Sequence, residues 1–132
     1  MIKDKIILKK RFGFFVQCSK FLNNKVWENF YDGNIHRFQI FNDFNIIYLH
    51  SAISSGKKCD RGSLKIYTAG LYDILKTIKQ SNDNPVIILA HHPMEAIEFE
   101  DMGRIKDTIN ELKISVVWLC GDYHLIFENK TY

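Results

Sequence analysis

The fold of this chain is decided by residues 85–121, PVIILAHHPMEAIEFEDMGRIKDTINELKISVVWLCG. Two short apolar runs, residues 85–90 and 115–120, are rich in β-branched side chains and are bounded by turn residues, which is typical of strands buried on both faces. Between them, residues 101–113 place apolar side chains at helical spacing. These are Ile105, Ile109 and Leu112. We therefore expect a strand, a helix and a second strand, joined by a right-handed crossover.

The same pattern extends towards the N-terminus. Residues 69–81 predict another helix, because four apolar residues fall on one face at i, i+3, i+4 and i+7. These are Leu71, Ile74, Leu75 and Ile78. Before it, the runs at 37–41 and 45–50 are separated by an Asn-Asp turn and predict a β-hairpin, followed by a loop over 51–63. Helices that alternate with strands in this way indicate an α/β fold.

Length and composition restrict the class of protein. The chain has 132 residues, 46% of them hydrophobic, and a formal net charge of +3, so we expect one domain with a real core and no extended basic surface. Its three cysteines form no CxxC pair, which argues against a disulfide framework and favours the cytoplasm. No apolar run approaches the ~20 residues that a membrane span needs. Residues 1–34 are the hardest to assign, although apolar spacings after residue 12 partly fit a helix.

The residues that carry chemistry follow the two C-terminal strands. His91 and His92 come directly after one run, and Asp122 and His124 come after the other. If the two strands are parallel neighbours, these side chains meet at one edge of the sheet, where α/β proteins bind ligands. Histidine and aspartate bind zinc, manganese and iron, and Gly121 would allow a sharp turn there. The alternative is that they are hydrogen-bonded residues at strand ends, and spacing alone leaves both interpretations open.

The segments PVIILAHHPM (85–94) and VVWLCGDYH (116–124) together resemble the C-terminal half of the calcineurin-like metallophosphoesterases. In that family an apolar strand ends in His-His-Pro or Gly-His-x-Pro, and about thirty residues later a second strand ends in Gly-His-x-His. The resemblance spans roughly residues 35–129. It implies a four-layer αββα sandwich that holds two metal ions at strand ends, so the chain would be part of such a sandwich.

The resemblance also implies roles for individual residues. His91 matches a histidine that binds the second metal ion, and His124 matches the last histidine of Gly-His-x-His. Asp122 stands where the first histidine of that motif would be, and aspartate binds the same metals. We therefore expect a site for manganese, zinc or iron, partly occupied or empty, with His91, Asp122 and His124 as ligands. His92 is the weaker candidate for a catalytic role, beside the metal or facing the substrate.

The first half of the family's site is not matched. Its motifs Asp-x-His, Gly-Asp-x-x-Asp and Gly-Asn-His-Asp are missing from the corresponding part of this chain. Residues 33–36, Gly-Asn-Ile-His, come closest, but they are better interpreted as a turn entering a strand. His50 reads as a core histidine inside a buried strand. Without the bridging aspartate, two ions cannot be held as the family holds them.

We therefore expect a partial phosphoesterase domain that is inactive as this chain alone. Its substrate would be a phosphorylated small molecule or nucleotide, with nucleic acid left open. Half of a two-sheet sandwich would expose an apolar face, which predicts a homodimer or a complementing N-terminal half. Two alternatives are a non-catalytic interaction module on the same scaffold and an unrelated phosphate-binding α/β domain. The absence of a Gly-rich phosphate loop argues against the latter. The acidic run at residues 95–101 is expected to cap the helix that follows it.

Overall fold

The computed structural model describes residues 2–21, 35–55 and 61–121. Among these residues, seven helices and strands follow one another with one short 3-10 turn after the third β-strand. In chain order they are α1 (Ile2–Phe21), β1 (Arg37–Ile40), β2 (Asn45–Leu49), α2 (Thr68–Ser81), β3 (Val86–Ala90), the 3-10 turn Met94–Ala96, α3 (Phe99–Leu112) and β4 (Val116–Cys120).

The described strands form one mixed sheet in the order β1-β2-β3-β4. β1 pairs antiparallel with β2, which confirms the predicted hairpin. β2, β3 and β4 run parallel, with α2 between the first two and α3 between the last two. The predicted α/β class is therefore confirmed. The two helices pack against each other, so they cover the same face of the sheet.

The core lies between that helical layer and the sheet. Leu71, Leu75 and Ile78 of α2 are fully buried, as their spacing predicts, and Ile105 of α3 joins them. Each such side chain contributes about 1.5–3 kcal/mol on burial. From the sheet they contact side chains that alternate along β2 and β3. These are Ile47, Leu49, Val86 and Ile88.

The opposite face of the sheet corrects one prediction. The runs at 85–90 and 115–120 are not buried on both faces. Val117 and Leu119 of β4 are 52% and 49% exposed, and Ile87 and Leu89 of β3 are only half-buried. The register places apolar residues of β2, β3 and β4 in two rows across this face. We call it the open face, and its residues are Ile46, Tyr48, Ile87, Leu89, Val117 and Leu119. A run of apolar residues indicates a strand but does not tell how many of its faces are covered.

An asparagine cluster fixes the amino ends of the parallel strands. The Asn45 amide is fully buried and donates to Asn82 Oδ1 (2.9 Å) and to the Asn84 carbonyl (3.2 Å). Asn82 Nδ2 in turn donates to Asn45 Oδ1 at 3.1 Å. Because buried amides are costly when unpaired, this exchange holds the start of β2 against the turn that enters β3.

The N-terminal helix α1 lies against residues that follow β2. Phe12 contacts the His50 ring edge-to-face at 5.1 Å. Val16 is buried against Ile35, together with Tyr67 of the segment before α2. The sequence pattern did not predict a helix over the charged residues 3–11, which it treats as an exposed end. No described helix is long and apolar enough to cross a membrane.

Candidate functional site at the carboxyl ends of the parallel strands

The carboxyl ends of β3 and β4 lie side by side. Ala90 is in register with Cys120, and the Gly121 amide donates to the His91 carbonyl at 3.3 Å. Leu49 of β2 is in register with Ala90 on the other side. The condition on which the predicted site depended, that the strands are parallel neighbours, is therefore met. We call this edge the strand-end rim and define it by residues 50–51, 91–92 and 121.

The two histidines of the rim differ in exposure. The His91 side chain is exposed to solvent, whereas His92 is only 6% exposed. Their rings meet edge-to-face with centroids 4.6 Å apart. His91 is therefore the imidazole of this pair that a ligand from solvent reaches most easily.

His92 links the ends of all three parallel strands. Its Nδ1 atom lies 3.0 Å from the Oγ atom of Ser51, which follows β2. Its backbone amide donates to the same Oγ at 3.2 Å. Its carbonyl accepts a hydrogen bond of 3.3 Å from the Trp118 indole of β4. Sequence reasoning did not find Ser51 or Trp118, because a serine after a strand and a tryptophan within one are common in structural roles.

The other two predicted ligands, Asp122 and His124, lie outside the described residues. Their convergence with His91 therefore stays a prediction. Within the ranges 35–55 and 61–121 and in α1, no three histidine, cysteine, aspartate or glutamate side chains come together so that they could hold a metal ion. The described residues do not form a metal site by themselves. Also, a Cβ atom built at Gly121 meets no described atom within 4 Å, so no close approach there requires glycine.

A second histidine pair lies beside the rim. His36 is 3% exposed; its Nε2 atom lies 3.2 Å from the Tyr67 carbonyl, and its Nδ1 atom accepts the backbone amide of His50 at 3.1 Å. Burial lowers the pKa of His36 to about 4, although the bond to Tyr67 acts in the opposite direction. His36 is therefore neutral, with its proton on Nε2. Of residues 33–36, the first two lie outside the described residues.

His50 corrects another prediction. It lies one residue after β2 and is half-buried, rather than inside a strand as a core side chain. Its contact with Phe12 links the rim to α1. The strand ends earlier because the chain turns at Ser51, whose amide bonds back to the Leu49 carbonyl at 3.0 Å.

The loops next to the rim are held by α3 and its acidic first turn. Leu64 pairs with Ile97 in an isolated parallel bridge. The Asp101 carboxylate accepts the backbone amide of Ile66 at 2.9 Å. The expectation that the acidic run caps α3 is thus only partly right. Glu98 occupies the N-cap position without a side-chain cap bond, and Asp101 binds a neighbouring loop instead of its own helix.

An open cavity of about 400 Å³ lies between α1, this loop and the start of α3. Its walls mix apolar residues with charged ones. They include Ile7, Ile53, Tyr67, Lys65, Asp101 and Arg104. Lys65 forms an ion pair with Glu98 at 3.1 Å, which raises the pKa of the Lys65 amine. Its charge is thus partly balanced within the protein.

Comparisons with known proteins give no match. No protein-family model matches the chain, and neither a curated protein nor a solved structure is similar to it. The arguments for function therefore come from the residues and their geometry.

Proposed function

We propose that this chain is part of a metal-dependent phosphoesterase domain of the αββα sandwich type and acts in the cytoplasm. The observation that carries the proposal is the register of β3 and β4, in which Ala90 pairs with Cys120. It brings the starts of both motif segments, His91 and Gly121, to the same rim. The resemblance to the phosphoesterases requires this adjacency, because its ligands come from both strand ends.

The open face is a second support. In a four-layer sandwich the inner face of each sheet packs on another sheet. Here α2 and α3 cover one face of the described sheet, whereas Tyr48, Val117 and Leu119 stay 42–52% exposed on the other. One sheet with one helical layer is half of such a sandwich. A second copy of the chain or a complementing N-terminal half would supply the rest.

The proposed roles follow the exposure of the His91 side chain and the motif matches of Asp122 and His124. His91 would bind a divalent metal ion, manganese, zinc or iron, together with Asp122 and His124. Such ions, when bound, supply positive charge and polarise a phosphate ester. The substrate would be a phosphorylated small molecule or a nucleotide. Because the chain lacks the bridging aspartate, we propose that it is inactive by itself.

Metal analysis of the purified chain tests this proposal. We expect bound manganese, zinc or iron, and we expect H91A and H124A each to weaken metal binding by at least ~10-fold. The matched control is E111Q, which changes an exposed group at the far end of α3 and should bind metal as the wild type does. Hydrolysis of an aryl phosphodiester, with and without manganese, should stay at the blank rate. A folded chain that binds none of these metals would refute the proposal.

The second candidate is a non-catalytic interaction module that keeps the phosphoesterase scaffold. It is favoured by the lack, in this sequence, of the bridging aspartate and of the other motifs of the family's first half. Binding of a protein partner by a chain that takes up no metal would decide for this alternative.

A further inference from the structure

We propose that Ser51 is a positioning residue that holds His92 in the tautomer with its hydrogen on Nε2 and so keeps His92 from acting as a metal ligand. The inference rests on the proposed function only in naming a metal ion as the ligand of the rim. It assigns the two adjacent histidines different roles, one as ligand and the other as part of the support.

The argument starts from the hydrogen atoms around Ser51 Oγ. Ser51 is 1% exposed, so water does not complete its bonding. Its Oγ atom lies 3.2 Å from the backbone amide of His92 and 3.0 Å from His92 Nδ1. A backbone amide only donates, so Oγ accepts from it. Among the described residues, His92 Nδ1 is then the atom left to accept the hydrogen of the Ser51 hydroxyl.

The tautomer of His92 follows from this assignment of donors and acceptors. Because Ser51 donates to Nδ1, that nitrogen is an acceptor and carries no hydrogen. A neutral imidazole with an acceptor at Nδ1 has its hydrogen on Nε2. The opposite tautomer would leave the serine hydroxyl hydrogen buried without an acceptor, which is costly in a protein interior.

The same hydrogen bonds oppose metal binding by His92. A metal ion binds a ring nitrogen through its lone pair, and at Nδ1 that lone pair is engaged by Ser51. Binding at Nε2 would move the ring hydrogen to Nδ1, which would then donate to Ser51 Oγ and leave the serine's own hydrogen buried without an acceptor among the described residues. His91 has an exposed side chain and lies beside Gly121 at the rim, so it is the histidine of the pair suited to bind an ion.

His92 thus supports the rim instead. Three of its hydrogen bonds, two with Ser51 and one from Trp118, join the ends of β2 and β3 to the middle of β4. They fix the backbone from which the neighbouring His91 side chain extends. A group that orients a ligand in this way acts on metal affinity through another residue.

Nuclear magnetic resonance of the metal-free chain tests the tautomer. With ¹⁵N-labelled histidine, long-range proton–nitrogen correlations in alkaline buffer report which ring nitrogen carries the hydrogen. We expect His92 to show the Nε2–H form in the wild type and in S51T, which keeps the hydroxyl. In S51A we expect a shift towards the Nδ1–H form. If His92 carries its hydrogen on Nδ1 in the wild type, the proposal is overturned. It is also overturned if the tautomer of His92 in folded S51A is the same as in the wild type. The wild-type spectrum decides the tautomer even if S51A does not fold.

Metal titration separates the two histidines. In H92N the asparagine Oδ1 takes the place of Nδ1 and still accepts from Ser51. We expect H92N to bind manganese or zinc within about threefold of the wild type and H91N to lose at least ~10-fold. Equal losses in both variants would overturn the division of roles. If the wild type binds no metal, the proposed function fails, while the spectrum still decides the role of Ser51.

Discussion

At the scale of single residues, His36 controls how the folded state responds to acid. Its ring is buried, with the Tyr67 carbonyl on one side and the His50 amide on the other. Protonation would place a hydrogen on Nδ1 opposite that amide and break one bond. Because burial penalises the charged ring, the folded state favours the neutral form, and the pKa of His36 falls from 6.5 to about 4.

We predict that the chain loses stability as the pH falls from about 6.5 to about 4. In that interval the unfolded chain binds a proton at His36 and the folded chain does not, so acid favours unfolding. The loss from this group amounts to about 3 kcal/mol, at ~1.4 kcal/mol per pKa unit. Urea unfolding at several pH values measures it.

H36Q isolates this contribution. Its amide keeps a donor for the Tyr67 carbonyl but does not titrate, so stability should depend less on pH between these limits. The matched control H91Q removes an exposed imidazole and should keep the wild-type dependence. An identical pH dependence in H36Q and the wild type would show that His36 is not responsible.

Individual roles at the site were only partly predictable from sequence. The strand ends identified His91 and His92 because their position after an apolar run is visible in the sequence. The difference in burial between the two histidines was not visible there. His92 is buried against Ser51, which lies 41 residues earlier in the chain and comes near only through the pairing of β2 with β3. Asp122 and His124 remain predictions.

At the scale of the elements, α3 ends in an unfavourable backbone conformation. Lys113 follows its last residue with φ 51° and ψ 49°, in the left-handed region. Its amide bonds to the carbonyls of Ile109 and Asn110, and the Ile114 amide bonds to Ile109 at 3.1 Å. This is the pattern in which helices most often place glycine.

We predict that K113G stabilises the chain by about 1 kcal/mol, because glycine enters the left-handed region without a Cβ penalty. Thermal unfolding should show a rise of a few degrees. The matched control is E111G, in the last turn of the same helix, where glycine should instead cost about 1 kcal/mol. Equal destabilisation by both would mean that Lys113 is not left-handed in solution.

The helices and strands from β1 to β4 were predictable because the apolar residues of each follow the spacing of a helix or of a strand. Helical spacing identified α2 and α3 within two residues of their observed ends, and the hairpin followed from the turn at Asn42-Asp43. α1 was predicted only in part, from the apolar spacings after residue 12, since its charges and apolar residues do not separate onto clear faces. The open face was not apparent from the strands, because side chains on both of their faces are apolar.

At the scale of the whole molecule, the open face is the surface through which we expect the chain to meet other proteins. The three strands that carry this face span about 14 by 16 Å, from strand spacings of ~4.8 Å and a rise of ~3.3 Å per residue. A standard interface buries ~800 Å² on each partner, which is more than this face supplies by itself. Self-association through it should therefore be weak and depend on concentration.

We predict that the wild type shows this association by size-exclusion chromatography with light scattering. The double variant V117K/L119K should be a monomer, because two charges on the face oppose its burial. The matched control F99K places a lysine at an 88% exposed phenylalanine of α3, away from the face, and should associate as the wild type does. A wild type that is monomeric and monodisperse at every concentration would count against the half-sandwich.

The order of the described strands also has a consequence for how the chain folds. Because sheet order equals chain order, each strand adds to the edge that its predecessor formed, although each parallel pairing still closes a long loop, as between Asn45 and Val86. Such non-local parallel pairing forms slowly, and the order of the strands allows the sheet to grow from the N-terminal side during synthesis. The neighbourhood of His91 is then completed last, when β4 emerges and brings Trp118 to the His92 carbonyl.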